Sequence, residues 1–315
     1  MRILSIFGGT RSAANRLHFG FILKLKDKND FFAYGPNRID TDMFPLEFNE
    51  KIVVSDLISN FDPEVIILPD PAFLSQSRFI PLANTFKNSN VPVVLMDVDS
   101  YIRTNNKKWY LEAGIDLAIN RLPGFEYPVR STWIPLSANE EEFFNNPLER
   151  INAVVFVGGG RYSRNKYYSV RQRAIRILEG NGLIDYLGHC GEKAYPEILR
   201  SYTIALSCSF PPLCHSPGKT FEIMASGTAL LTSRIEESKI LFGDEQCLFT
   251  YKEDCSDIVS LVKDILSDED KIKEIAMNGY SAVCKKHLDK HRIVELQNIL
   301  EALVSGSEIP DVWGK

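Results

Sequence analysis

One pattern occurs twice in this chain and narrows its architecture more than any other feature. An apolar run at residues 3–7 breaks at Gly8 and Gly9, and residues 153–157, AVVFV, break in the same way at Gly158, Gly159 and Gly160. A strand that ends in glycines and passes into a helix is the opening of a βαβ unit. Further β-branched runs follow the first opening at 65–68, 91–96, 115–119 and 132–134, and the second at 204–208, 229–232 and 247–250. Helix-like stretches lie between them, such as 12–26, where Leu17, Phe21 and Leu25 recur at spacings of four. This alternation predicts parallel sheets with helices on both faces. A length of 315 residues accommodates two domains of ordinary size. The expected fold is therefore α/β, with two Rossmann-like domains at residues 1–150 and 151–315 that face each other across a cleft at the carboxyl ends of the strands. The boundary is placed near Arg150, where the polar stretch SANEEEFFNNPLER gives way to the second strand. The final segment, 268–305, reads as helical, and its stripe of Ile293, Leu296, Ile299, Leu300 and Leu303 covers either its own domain or the first one.

Charge adds a second constraint. The net charge is −5, but the first 26 residues carry Arg2, Arg11, Arg16, Lys24 and Lys26 with no acid. The stretch after Gly158 carries Arg161, Arg164, Lys166, Arg171, Arg173 and Arg176, again with no acid before Ile177. Both basic stretches follow a glycine turn, which points to an anionic ligand at those turns. Six cysteines fall in the second half without a C-x-x-C pair and read as structural thiols, and Cys214 beside His215 lacks further ligands at metal-site spacing. The run at 3–7 is too short for a signal peptide or a membrane span, so a cytoplasmic setting without integral membrane association is expected.

The sharpest local signal is SPGKTFEIMASGTALLT at 216–232. Ser216 is placed to cap a helix that starts at Pro217, and Gly227 to end it in a left-handed turn. The amino end of such a helix offers unpaired amides and the positive end of the dipole, where the cation Lys219 is unfavourable unless an anion binds. Glu222, one turn on, is suited to accept hydrogen bonds from vicinal hydroxyls such as those of a ribose.

These residues carry a resemblance. The stretch FEIMASGTALLTSRIEESKILFGDEQCLFTYKEDCSDIVSLVKDIL, followed by IAMNGYSAVCKKH, resembles the carboxyl-terminal half of group 1 glycosyltransferases, in particular the branch related to spore maturation proteins. Glu222, Ala225, Gly227, Asn278, Gly279 and His287 match that pattern in order, and VVFVGGGRYSRNK and IPLSANEEEFF extend it. The resemblance implies a GT-B fold, a nucleoside diphosphate sugar as donor with UDP as its nucleotide, no cofactor or metal, and retention at the anomeric carbon. It also implies that Arg161 and Lys166 hold the diphosphate and act in catalysis, a role for which Arg164, Arg171 and Lys219 compete. Gly8, Gly9, Gly159, His189, Ser216, Gly218 and Thr220 complete the expected donor-binding set with Arg161, Lys166, Lys219 and Glu222. The sequence departs from the pattern at Cys214, eight positions before Glu222, where many members have a second acid near the transferred sugar.

In the first half, Arg11, Arg16 and His18 lie on or near the helix after the first glycine turn, and Asp70 sits in a Pro-flanked turn. Asp97 and Asp99 follow the run at 91–96 and are the candidates to orient an acceptor hydroxyl or act as a base. The acceptor itself, whether glycan, small molecule or modified nucleic acid, is not specified by any motif. Three other functions share these features: a nucleotide-sugar epimerase, a nucleic-acid-modifying glycosyltransferase using the arginine-rich stretch, and a non-catalytic nucleotide-binding protein.

Overall fold

A computed structural model describes residues 1–6, 20–35, 46, 52–69, 86–87, 89–97, 107–146, 149–159, 168–209, 214–243 and 246–314. Two compact units emerge, one formed by Met1–Pro135 with Lys290–Lys315 and the other by Leu136–Asp289. Each is built on a wholly parallel sheet.

In the first unit β1 (Arg2–Ile6), β2 (Asp30–Tyr34), β3 (Val65–Leu68), β4 (Val93–Asp97), β5 (Leu117–Asn120) and β6 (Arg130–Trp133) lie in the order β2-β1-β3-β4-β5-β6. Side chains alternate between two cores, as a period of two requires. Ile3, Val65, Ile67, Val94, Met96, Leu117 and Ile119 face one of them. Leu4, Ile6, Ile66, Leu68, Val93 and Leu95 face the other. Strands buried on both faces read as continuous apolar runs, and for that reason most were legible in the sequence. Strand β2, DFFAY, was not, because it opens on an exposed Asp30. Two helices of this unit, α1 (Val54–Phe61) and α2 (Lys107–Glu112), lie between strands in sequence.

The second unit repeats the plan with β7 (Ile151–Val157), β8 (Asp185–Gly188), β9 (Tyr202–Leu206), β10 (Ala229–Ser233) and β11 (Phe249–Tyr251) in the order β11-β10-β9-β7-β8. Its helices are α3 (Ser169–Gly180), α4 (Ala194–Ser201), α5 (Gly218–Ala225), α6 (Ser238–Phe242), α7 (Ile258–Leu266) and α8 (Glu269–Lys286). Val154, Phe156, Ile204, Leu206, Ala229 and Leu231 share its core with α3, α7 and α8. Strand β8 also escaped the sequence pattern: it is an edge strand with an exposed Leu187 and no clean alternation of apolar residues.

The units differ from residues 1–150 and 151–315 at both ends of the second one. Residues 136–150 belong to it because they are fastened there. Ala138 bridges Leu288, Ser137 Oγ donates to Asp289 Oδ1 at 2.7 Å, and Phe143, 1% exposed, packs edge-on to Tyr195. Arg150 donates to the carbonyls of Tyr202 and Ser226, to Thr228 Oγ1 and to Asn145 Oδ1. At the other end α9 (Asp289–Ser305) carries the chain back to the first unit, where Leu296, Ile299, Leu300 and Leu303 are buried against Ile3, Val65 and Val94. The amphipathic stripe therefore covers the first sheet. Among the described residues no helix is long and apolar enough to cross a membrane.

Candidate functional site

In both sheets the strand order reverses beside the first strand of the unit, and in open parallel sheets ligands bind outside the carboxyl ends of the strands at such a point. In the second unit that point lies between β7 and β9. Helix α5 begins there: Lys219 Nζ donates to the carbonyl of Val157, the last residue of β7.

The local sequence explains how α5 is made. Pro217 is its N-cap in extended conformation, Gly218 its first residue, and Ser226 its C-cap. Gly227 follows at φ +66°, with its amide bonded to the Met224 carbonyl and the Thr228 amide to that of Ile223. Those two bonds form a Schellman end, which needs a residue that tolerates the left-handed region. Except for Lys219, every residue of the helix is buried. Helix α8 packs behind it: a side chain at Gly279 would crowd Met224, and His287, fully buried, donates from Nε2 at 2.7 Å to the Leu241 carbonyl while its ring lies 5.1 Å from that of Phe221. Asn278 Nδ2 donates to the Gln246 carbonyl. Gly279 and His287 thus brace α5, and Asn278 ties α8 to the segment before β11.

The expectation that Ser216 caps this helix is corrected. The helix starts one residue later, and Ser216 is held by its own amide, which donates to Glu237 Oε1 at 2.7 Å, while Glu237 Oε2 lies 3.2 Å from His215 Nδ1. The Ser216 and Thr220 hydroxyls are buried and take no hydrogen bond among the described residues. The Gly218 and Lys219 amides likewise have no backbone partner among them. Buried polar groups in this condition point to a missing partner. Cys214, at φ +50°, donates its thiol to Glu253 Oε1 at 3.0 Å, and burial followed by that contact pushes the thiol up to about 11. Among the described residues no cluster of three or more His, Cys, Asp or Glu is arranged to hold a metal.

Two charged groups dominate the site. Lys219 Nζ lies 4.9 Å from the centre of the Phe156 ring and 5.5 Å from that of Tyr195. Burial, with the Arg171 guanidinium adding to it and Glu222 opposing, lowers the ammonium to about 8. Glu222 is 4% exposed, and its Oε2 accepts from the Tyr195 hydroxyl at 2.8 Å. Burial pushes its carboxyl up to about 7, against the pull of the Tyr195 hydrogen bond and of Lys219. Its other oxygen, Oε1, accepts no hydrogen bond among the described residues.

At the second glycine turn the groups that come closest are the protein's own. A Cβ on Gly158, at φ +125°, would lie 2.5 Å from Lys219 Nζ, and one on Gly159 would lie 2.5 Å from His189 Nε2. Gly159, His189, Gly218, Lys219, Thr220 and Glu222 are thereby brought to one region of the second unit. Arg171 joins them: its guanidinium carbon lies 5.8 Å from the Phe156 ring centre. Tyr195 was missed because nothing local in AYPEILR marks it. Only the topology does, by setting the first turn of the helix after β8 at the carboxyl edge of the sheet. Gly8, Gly9, Arg11, Arg16, His18, Asp70, Asp99, Arg161, Arg164 and Lys166 lie outside the described residues. Asp97, at the end of β4 in the first unit, is fully buried, and its Oδ2 accepts from the Tyr110 hydroxyl at 2.8 Å and the Tyr127 hydroxyl at 3.3 Å.

Residues 139–298, just over half of the chain and including the whole of this site, match the family model described as glycosyl transferase-like. The chain belongs to that family. No curated protein matches it by sequence. Among solved structures it is similar to HepE of Anabaena in complex with UDP and glucose, with a TM-score of 0.68 at 12% identity over 96% of this chain and 100% of that one. Sucrose-phosphate synthase from Thermosynechococcus elongatus superposes with a TM-score of 0.65 at 12% identity, covering 98% and 100% of the two chains. A UDP-N-acetylglucosamine 2-epimerase does so with a TM-score of 0.54 at 11% identity, covering 99% and 98%. At such identities the likeness establishes the fold. This glycosyl transferase-like chain has two Rossmann-like units with parallel sheets, as GT-B glycosyltransferases do.

Proposed function

We propose that the chain transfers a sugar from a UDP-sugar to an acceptor hydroxyl, with retention and without a metal, and that the second unit binds the donor. The observation that carries this reading is the buried Glu222 carboxylate, hydrogen-bonded on one oxygen and open on the other, one helical turn from Lys219. A vicinal diol supplies the donors that Oε1 lacks. The amides of Gly218 and Lys219, the Ser216 and Thr220 hydroxyls and the Lys219 ammonium then receive the diphosphate, joined by Arg161 and Lys166 from the basic stretch. As the bond to the sugar breaks, negative charge gathers on the departing diphosphate, and charge-assisted hydrogen bonds from these groups stabilise it more than they stabilise the intact donor. Gly159 and His189 border the same region and are assigned to the nucleoside end. On the acceptor side Asp99 is preferred to Asp97, whose carboxylate already serves two phenols. That HepE was solved with UDP and glucose supports the choice of nucleotide.

A thermal-shift series with UDP, GDP, ADP and TDP tests the reading, since a ligand that binds only the native state raises its apparent stability. Stabilisation by UDP that Glu222→Ala removes, at unchanged melting temperature of the free protein or above it, is the expected result. Equal shifts in wild type and variant would take Glu222 out of the site. Incubation with UDP-sugar alone separates transfer from epimerisation, because an epimerase converts the donor without an acceptor.

A further inference from the structure

Tyr195 has no part in the reading above. It stands in the first turn of α4, and its hydroxyl donates to Glu222 Oε2 at 2.8 Å. The ring is itself held, edge-to-face against Phe143 at 5.7 Å between centres, and Phe143 comes from the segment fastened to this unit by Arg150 and the Ala138 bridge. The opposite attachment is the Lys219 ammonium, 5.5 Å from the Tyr195 ring centre. One side chain therefore touches both charged groups of the site from an element that carries neither.

We propose that Tyr195 is the positioning residue of the donor site: its hydroxyl ties down one oxygen of Glu222 so that the other is presented to the vicinal diol of the donor. The inference rests on the reading of Glu222 as the diol acceptor. A carboxylate with both oxygens unheld in a buried site is free to rotate about its terminal bond and is poorly paired in its charged form. The phenol addresses both problems, because a donated hydrogen bond fixes the plane of the group and favours its ionised state. The groups facing Glu222 are Lys219 on its own helix, Tyr195 on α4, Glu142 in the segment before Arg150 and Asp289 at the start of α9. Lys219 in turn faces Arg171 on α3 and the thiols of Cys190 and Cys208. Of the influences that oppose burial at Glu222, the Tyr195 hydrogen bond is the largest. Its removal leaves Glu222 protonated to higher pH, and a protonated carboxyl is a weaker acceptor for the diol.

Calorimetric titration of the full chain with UDP between about pH 5.5 and pH 9, for wild type, Tyr195→Phe, Glu222→Gln and the double variant, tests this. Phenylalanine keeps the ring and its packing, so the loss of the hydroxyl is isolated. The expected result for Tyr195→Phe is an affinity lower by roughly tenfold at neutral pH, with the acidic limb of the binding profile moved upward by about one pH unit. In the Glu222→Gln background the same change is expected to alter neither. The limb is read within each variant, so a smaller fraction of competent protein leaves it intact. Wild-type affinity and an unmoved limb in Tyr195→Phe, with Glu222→Gln still removing the limb, would reduce Tyr195 to packing. No UDP binding by wild type, or Glu222→Gln binding as wild type does, would overturn the donor-site reading and this inference with it.

Discussion

Each unit buries a carboxylate, and the two are in opposite condition. Asp97 closes β4 of the first sheet with no solvent exposure, and Tyr110 and Tyr127 both donate to its Oδ2. Glu222 in the second unit is 4% exposed, receives one phenol and has an oxygen that no described residue serves. A lysine stands one turn from Glu222, and two phenols donate to Asp97. Burial does not separate the two acids; the number of satisfied lone pairs does. A carboxylate enclosed by donors acts as scaffold, and one left partly unserved in the interior is held ready for a donor from outside.

That contrast breaks or holds under substitution. The largest effect is expected at Asp97, where Asp97→Ala takes one acceptor from the buried Tyr110 and the half-buried Tyr127 and costs about 3 kcal/mol of stability in the first unit. Equilibrium denaturation measures it, and a variant as stable as wild type but deficient in transfer would move Asp97 from scaffold to acceptor site. Next, Lys219→Ala is expected to lower UDP affinity roughly thirtyfold while leaving uridine affinity within about threefold, since the ammonium is assigned to the diphosphate. Equal losses for both ligands, measured by calorimetry, would place Lys219 elsewhere. The smallest effect concerns the free protein. The Glu222 carboxyl is raised from its ordinary value of 4.5 to about 7, so the folded state binds its proton more tightly than the unfolded one and stability falls as pH rises from 4.5 to 7. Lys219 is lowered from 10.5 to about 8, so the folded state gives up that proton first and stability recovers only as pH rises from 8 to 10.5. The free site is therefore most costly near neutrality. Glu222→Gln is expected to raise stability by about 1 kcal/mol at pH 7.5 and to leave it unchanged at pH 4, with loss of the partner charge for Lys219 limiting the gain. A destabilised Glu222→Gln at pH 7.5 would mean that the carboxylate serves the fold, as at Asp97.

Much of this is legible in the sequence. The apolar runs of β1, β3, β4, β7, β9 and β10 could be read because strands covered on both faces are apolar throughout, whereas β2 and β8 could not, the first for its polar opening and the second for its place at an edge. Lys219, Glu222 and Gly227 stood out because a cation at a helix start, an acid one turn on and a glycine at the end are local signals. Ser216 misled for the same reason: a hydroxyl before a proline has the signature of a cap, and the competing grip of Glu237 on its amide comes from 21 residues away.

By itself the sequence determined the two parallel-sheet units, the short helix of the stretch SPGKTFEIMASG, and the charged pair on it, since periodicity, turn residues and helix-end chemistry act over a few residues. Tertiary structure alone decided that residues 136–150 join the second unit, that α9 returns to the first, and that Tyr195 meets Glu222 across 27 positions. An amphipathic stripe states that a face must be covered without stating by what, and a buried carboxylate states that it needs donors without naming them. Both answers depend on which distant segments the packing brings into reach.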